Sequence, residues 1–197
     1  MNRKTWIILG IVLVVLFIGY RMTVGPYNNM VGMDEGVGNA WAQVENVYQR
    51  RADLIPNLVN TVKGYAEHEK STLEAVVNAR ANATNTKIDP KDLTPENIQK
   101  FQQAQDGLSS SLSRLLLVVE KYPDLKANQN FLELQSQLEG TENRISIERG
   151  KFNDTVKEFN TYVRSFPNNF VASMFGFSKK GYFESAAGAE KAPEVKF

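Results

Sequence analysis

The chain has 197 residues, 42% of them hydrophobic and 10% aromatic, a composition that builds a packed core rather than a disordered chain. Net charge is +1, and setting aside Arg3, Lys4 and Arg21 from the 23 basic residues leaves 20 against 22 acidic ones, so there is no basic excess to hold nucleic acid. The absence of cysteine excludes disulfides, thiolate metal sites, a cysteine nucleophile and lipid acylation at cysteine.

The first element is an apolar run from Trp6 to Tyr20. Extended from Thr5 to Val24 it reaches about twenty residues, or roughly 30 Å as a helix, enough to cross a bilayer. Trp6 and Tyr20 stand at its two ends, where interfacial aromatics belong, and Arg21 is close enough to the end to snorkel. A cleaved signal peptide is the alternative. The Phe17-Ile18-Gly19-Tyr20-Arg21 ending, without small residues at a cleavage point, favours an anchor. Arg3 and Lys4 precede the run, and only Arg21 follows it before Arg50. The positive-inside bias therefore places the N-terminus in the cytoplasm and the rest of the chain outside it.

Gly25-Pro26 predicts a break or kink. Beyond it, Met30, Asp34, Val37, Trp41, Val44 and Tyr48 alternate at spacings of four and three and predict a helix over 27–51, with Asp34 the one polar exception. Pro56 then allows two readings. A proline inside a helix costs about 3 kcal/mol, whereas in a first turn it costs little. A tight reversal at 53–55, with Pro56 opening a helix over 56–83, gives helices of similar length and short loops, and is preferred to one long helix through Pro56. Thr94-Pro95-Glu96 is a helix start, with a capping hydroxyl, a first-turn proline and an acid near the positive end. Ile98, Phe101, Gln105, Leu108, Leu112, Leu115, Val119 and Tyr122 form the cleanest apolar stripe. A fourth helix is predicted over 125–164, stopped at Phe166-Pro167.

The fold class is thus all-α: an N-terminal transmembrane helix plus an antiparallel up-down four-helix bundle with long helices. The expected parts are an anchor at 1–25, the bundle at 26–165, an aromatic segment at 166–185 and a disordered tail at 186–197. In an up-down bundle the last helix returns toward the bilayer. Phe170, Phe175, Phe177, Lys179 and Lys180 then become candidate membrane-interface residues alongside Trp6, Tyr20 and Arg21. The alternative is that this segment closes the open end of the bundle.

The stretches Ala40-Trp41-Ala42-Gln43-Val44, Gln49-Arg50-Arg51-Ala52-Asp53-Leu54-Ile55-Pro56-Asn57-Leu58-Val59, Phe152-Asn153-Asp154, Phe159-Asn160 and Arg164-Ser165-Phe166-Pro167 resemble the LemA family of bacterial membrane proteins. The resemblance runs from the anchor to about Phe177. It implies an N-terminal anchor, an antiparallel four-helix domain and a bacterial inner-membrane location, and it brings no defined reaction and no catalytic residue. Phe152 and Phe159 stand where tyrosine is common in the family, and Gly36 and Gly38 replace helix-forming charged residues.

Catalytic constellations are sparse. His68 is the only histidine, which excludes a di-iron carboxylate site with its two Glu-x-x-His motifs. Carboxylates sharing a face, such as Glu139 and Glu142, read as a solvated surface. No catalytic residue, metal site or cofactor is expected. Arg50, Arg51, Asp53, Pro56 and Asn57 are the candidate partner-docking residues, or else they cap and fix the reversal. The expected function is a non-enzymatic single-pass scaffold or interaction module, self-associating or holding other membrane proteins on the bilayer. The alternative is a sensor with a small-ligand cavity between helices, hinted at by Gln105 and Asp34 on apolar stripes.

Overall fold

A computed structural model describes residues 3–66 and 68–184. The described chain is all-helical. It comprises α1 (Arg3–Lys63), α2 (Lys70–Asn85), a 3-10 turn at Pro90–Asp92, α3 (Pro95–Val119), the short α4 (Pro123–Lys126), α5 (Gln129–Arg164) and α6 (Asn168–Phe175). The tail expected to be disordered, 186–197, lies outside the described residues.

The main departure from expectation is α1, a single helix of 61 residues, roughly 90 Å long. It runs through both Pro26 and Pro56. No reversal occurs at 53–55, and Pro56 does not open a new helix. The reason lies at the carbonyl that Pro56 abandons. Without an N–H, Pro56 cannot bond the carbonyl of Ala52, four residues back. Arg80 of α2 fills the gap, its Nε donating to Ala52 O at 2.7 Å. The chain reverses later, between α1 and α2, after Tyr65 and Ala66 both donate to the Val62 carbonyl.

The first part of α1 is long and apolar enough to cross a membrane, and its side chains from Trp6 to Tyr20 are exposed. Further on, the expected stripe faces inward: Met30, Val37, Trp41, Val44 and Tyr48 are all buried. Contacts fix how the other elements lie along it. Asn29 bonds Tyr162 at 3.1 Å and Arg51 bonds Glu142 at 2.9 Å, so residue numbers rise along α1 as they fall along α5. Along α3 the numbers rise with those of α1: Tyr48 meets Phe101, and Arg51 meets Gln105 and Ser109. Thr94 caps α3 as expected, accepting from Asn97 N at 3.3 Å, with Pro95 in the first turn. Asn128 caps α5 by accepting from Phe131 N at 3.1 Å, so α5 begins at Gln129 rather than near Leu125.

Two apolar clusters fill the interior. One gathers Met30 to Tyr48 of α1 with Phe101, Phe152, Phe159, Val171 and Phe183. The other gathers Ile55 to Val62 of α1 with Val76, Leu108, Leu115, Leu125 and Phe131. In the first, the Trp41 ring meets Phe101 and Phe152 edge-on and stacks on Phe183, contacts worth about 0.5–1.5 kcal/mol each beyond their burial.

The segment after α6 corrects a second expectation. Gly176, at φ +79°, ends α6, and the chain then enters the side of the domain as an extended strap. Three side-chain amides hold the strap's backbone reciprocally. Asn160 bonds the N–H and carbonyl of Lys180, Asn153 those of Phe183, and Gln102 those of Glu184. Lys180 is therefore not free at a membrane surface. It is buried, with its ammonium 2.8 Å from Asp34 as an ion pair. That contact falls outside hydrogen-bond geometry, and Asp34 Oδ1 has no other partner among the described residues. The aromatic segment thus divides into α6 and a strap that closes the first cluster with Phe183.

The account of Pro56 makes a thermodynamic prediction. Arg80→Met should cost about 1–2 kcal/mol, the range for a hydrogen bond lost at a part-buried carbonyl. In a Pro56→Ala background, the restored N–H supplies that bond, and the same substitution should cost under about 0.5 kcal/mol by the same reasoning. Denaturant titrations of the four variants in detergent measure the difference. Gly181 offers a second check, since a Cβ there would lie 2.7 Å from Pro95 Cα. Gly181→Ala should loosen the strap and expose 177–184 to protease at lower denaturant.

Candidate functional site

The expected docking residues do not sit at a turn. They lie in mid-helix on α1, and they face two ways. Arg50, Asp53, Pro56 and Asn57 are exposed on one side. Asp53 accepts from Gln49 Nε2 at 2.7 Å, and the Asn57 carbonyl accepts from Thr61. Arg51 points the other way and is only 2% exposed, so it is no part of a docking surface.

Arg51 instead ties four helices together. One terminal nitrogen donates to Ser109 Oγ and Glu142 Oε2, both at 2.9 Å. The other donates to Gln105 Oε1 at 2.8 Å and to the Gln105 carbonyl at 3.3 Å. Gln105 Nε2 passes the connection on to the Ala83 carbonyl near the end of α2, at 3.2 Å. The guanidinium also lies 5.1 Å from the Tyr48 ring centre. Arg51 Nε has no hydrogen-bond partner among the described residues. The network separates the two apolar clusters as one polar layer, and Arg80 joins α2 to α1 beside it.

Sequence reading missed Arg80, Ser109, Asn153 and Asn160. It flagged Gln105 and Asp34 as polar intruders but read them as hints of a ligand cavity. The structure gives each a protein partner: Gln105 takes Arg51 and Ala83, and Asp34 takes Lys180. The signal for the strap was the repeated Phe-Asn pair, 152–153 and 159–160, seven residues apart. Each phenylalanine enters the core while the asparagine beside it grips the strap backbone.

A cavity of about 60 Å³ lies against the layer, lined by Glu45, Tyr48, Gln105 and Lys87 among others. That is room for about two waters. Burial raises the Glu45 pKa, opposed by the Trp41 indole and the Lys87 ammonium. Burial likewise raises the Tyr48 pKa, opposed chiefly by Arg149 and Arg51. A shallow groove of about 330 Å³ opens between α3 and α5, with Leu112, Leu116 and Leu138 along it and Arg51 and Glu142 at one end. His68 is exposed in the loop before α2, and no cluster of three metal-ligating side chains occurs among the described residues.

Of the candidate membrane residues, Trp6 and Tyr20 are exposed on α1 and Arg21 is exposed beside them. Phe170 and Phe175 are exposed on α6, Phe177 is half-buried against Tyr27, and Lys179 is exposed.

Among the described residues, fold and site define an all-helical protein with one N-terminal helix able to cross a membrane and a polar layer built for cohesion. The sequence profile of the LemA family matches residues 40–197, and the chain belongs to that family. Its curated relatives include Magnetosome protein MamQ 2 of Paramagnetospirillum magneticum, 25% identical over 194 residues, covering 90% of this chain and 71% of that protein. Magnetosome protein MamQ of Magnetospirillum gryphiswaldense is 26% identical over 180 residues, 82% of this chain and 66% of that one. Protein LemA of Metamycoplasma hominis is 23% identical over 167 residues, 85% of this chain and 73% of its own length. None of these names is that of an enzyme.

The polar layer predicts unequal effects from its two charged members. Arg51→Met should destabilise the protein by about 3 kcal/mol, because it leaves the buried Gln105 side-chain oxygen without its donor and removes the links to Ser109 and Glu142. Glu142, whose side chain is 59% exposed, should tolerate Glu142→Gln at a cost of under about 1 kcal/mol. Chemical denaturation monitored by circular dichroism separates the two, and equal losses would contradict the layer as described.

Proposed function

We propose that this protein is a non-enzymatic single-pass membrane protein whose helical domain acts as a scaffold or interaction module and self-associates at the membrane. The observation that carries the reading is α1 itself. Its exposed apolar segment runs without a break into the core of the folded domain. A continuous helix fixes the height and orientation of the domain above a bilayer, where a flexible linker would leave both free. On this reading the long upper part of α1 with α2, α3 and α5 forms an antiparallel up-down four-helix bundle, supported by the residue pairs that join them. Trp6, Tyr20 and Arg21 mark the two bilayer interfaces. The charges at Arg3 and Lys4 favour an N-terminus in the cytoplasm and a bundle on the outer face of the bacterial inner membrane.

The exposed face of α1 around Arg50, Asp53, Pro56 and Asn57 is the proposed docking surface for further copies or other membrane proteins. The absence of enzyme names among the relatives favours a non-catalytic role. The sensor reading has less behind it, because Gln105 and Asp34 already have protein partners and the pocket beside the polar layer is small and open to solvent.

Crosslinking in intact membranes, followed by mass measurement of the full-length protein in nanodiscs, tests this reading. A defined multi-copy species is expected. Asp53→Arg combined with Asn57→Arg should shift it toward monomer without loss of helix content. A protein that is monomeric and partner-free in both measurements would contradict the proposal.

A further inference from the structure

We infer that α6 is a second membrane contact, a short interfacial helix that seats the base of the domain on the bilayer beside the exit of α1. The inference rests on the proposal that α1 spans the membrane. Its own basis is the surface of α6. Phe170 and Met174 lie one turn apart on α6, and Phe166, just before the helix, packs its ring 5.9 Å from that of Phe170, so the three form one stripe. Phe166, Phe170 and Met174 are 80%, 64% and 70% exposed. The opposite side of the same helix carries Val171 and Ala172, which are buried in the first apolar cluster. The helix is therefore apolar on two sides, one covered by the domain and the other left in the open, with the exposed Asn169 and Ser173 along its edge. Large apolar side chains this exposed mark a contact surface.

The place of α6 identifies what covers it. The Tyr27 ring lies 4.7 Å from that of Phe175 and 5.8 Å from that of Phe177. Tyr27 is three residues beyond Val24, the end of the apolar run, which is a rise of roughly 5 Å along the helix. An interfacial helix sinks its apolar face about 5–10 Å into the headgroup and acyl boundary, so α6 is at the right level. Charge agrees. No acidic residue precedes Asp34, and none occurs between Glu158 and Glu184. Arg21 and Arg164 are the exposed ions nearest α6, while Lys179 stands higher, at the level of the exposed Glu35 and Glu158. Asp34, the nearest acid along α1, is taken by Lys180. The base of the domain thus presents an apolar stripe flanked by cations, which is what an anionic lipid surface binds. Two attachments, span and α6, would stop the domain from tilting about α1.

The absence of cysteine makes the test clean. Single nitroxide labels are placed at Phe170→Cys and Met174→Cys in the full chain, in nanodiscs of zwitterionic lipid with an added phosphatidylglycerol fraction. Leu13→Cys in the apolar run and Asn57→Cys on the exposed face of mid-α1 are the references. Phe166→Cys, outside the helix, serves should either α6 label lower the helix content. Relaxation by oxygen, which concentrates in lipid, is compared with relaxation by a water-soluble nickel chelate. The oxygen-to-nickel ratio at 170 and 174 should approach that at 13 and exceed that at 57 several-fold. A ratio at 170 and 174 equal to that at 57, with 13 still in lipid, overturns the α6 contact and leaves the span standing. Labels at 170 and 174 shielded from both reagents would mean that protein covers the stripe, which overturns the lipid assignment. A water-like ratio at 13 would remove the span and the inference together.

Discussion

The hydrogen bond from Arg80 to the Ala52 carbonyl is small, but it satisfies the acceptor that Pro56 leaves open in α1, the helix along which every other element is arranged. Pro56 creates an unsatisfied acceptor in the middle of α1, at Ala52, which is buried. Left alone, such a group favours a break. With Arg80 in place the helix continues, and its continuity decides where every other element sits. The turn moves beyond Lys63, α2 is confined to Lys70–Asn85, and α3 and α5 find one uninterrupted surface to lie on.

Along that surface the interior is layered. An aromatic cluster centred on Trp41 occupies the lower part and an aliphatic cluster around Leu58 the upper part. Between them the Arg51 guanidinium holds Gln105, Ser109 and Glu142, and through Gln105 it reaches α2. Such a layer adds little net stability over an apolar one, since desolvation offsets most of the attraction. It does set register. Any slide of α3 or α5 past α1 would strand a buried guanidinium. The strap imposes the same discipline on the lower cluster, because three amides read its backbone at fixed intervals and Gly181 leaves no space for a side chain against Pro95. A domain held in register at both levels transmits the orientation of α1 to its surface, which is the property a membrane-fixed platform needs.

The apolar stripes were plain in the sequence, and the structure buries them: Met30 to Tyr48 on α1, and Ile98 to Val119 on α3 with Gln105 among them. The Thr94 cap was legible for the same reason, since its chemistry is local. What could not be read were interactions between distant residues that overrule a local rule. Nothing near Pro56 announces that Arg80, 24 positions on, will satisfy the carbonyl it frees. The double arginine at 50 and 51 looked like one surface feature, yet adjacent residues on a helix diverge by about 100°, so one side chain is exposed while the other is interior. Lys180 looked like a headgroup ligand because Asp34, its partner, lies far back in the chain. Asp34 and Gln105 were both noticed as polar exceptions, and the general lesson is that such an exception more readily marks a buried partner than a ligand.

The continuity of α1 through Pro56 is the claim on which the rest stands. It is tested most directly by the distance between spin labels at Gln43→Cys and Asn60→Cys, both exposed positions, by double electron–electron resonance on the full chain. One helix places the two α-carbons 17 residues apart on a common axis, roughly 26 Å. A reversal at 53–55 would fold the second position back beside the first, at roughly 12 Å. A single distribution near the longer distance is what the structure predicts. A population near the shorter one would contradict the unbroken helix and the packing built upon it.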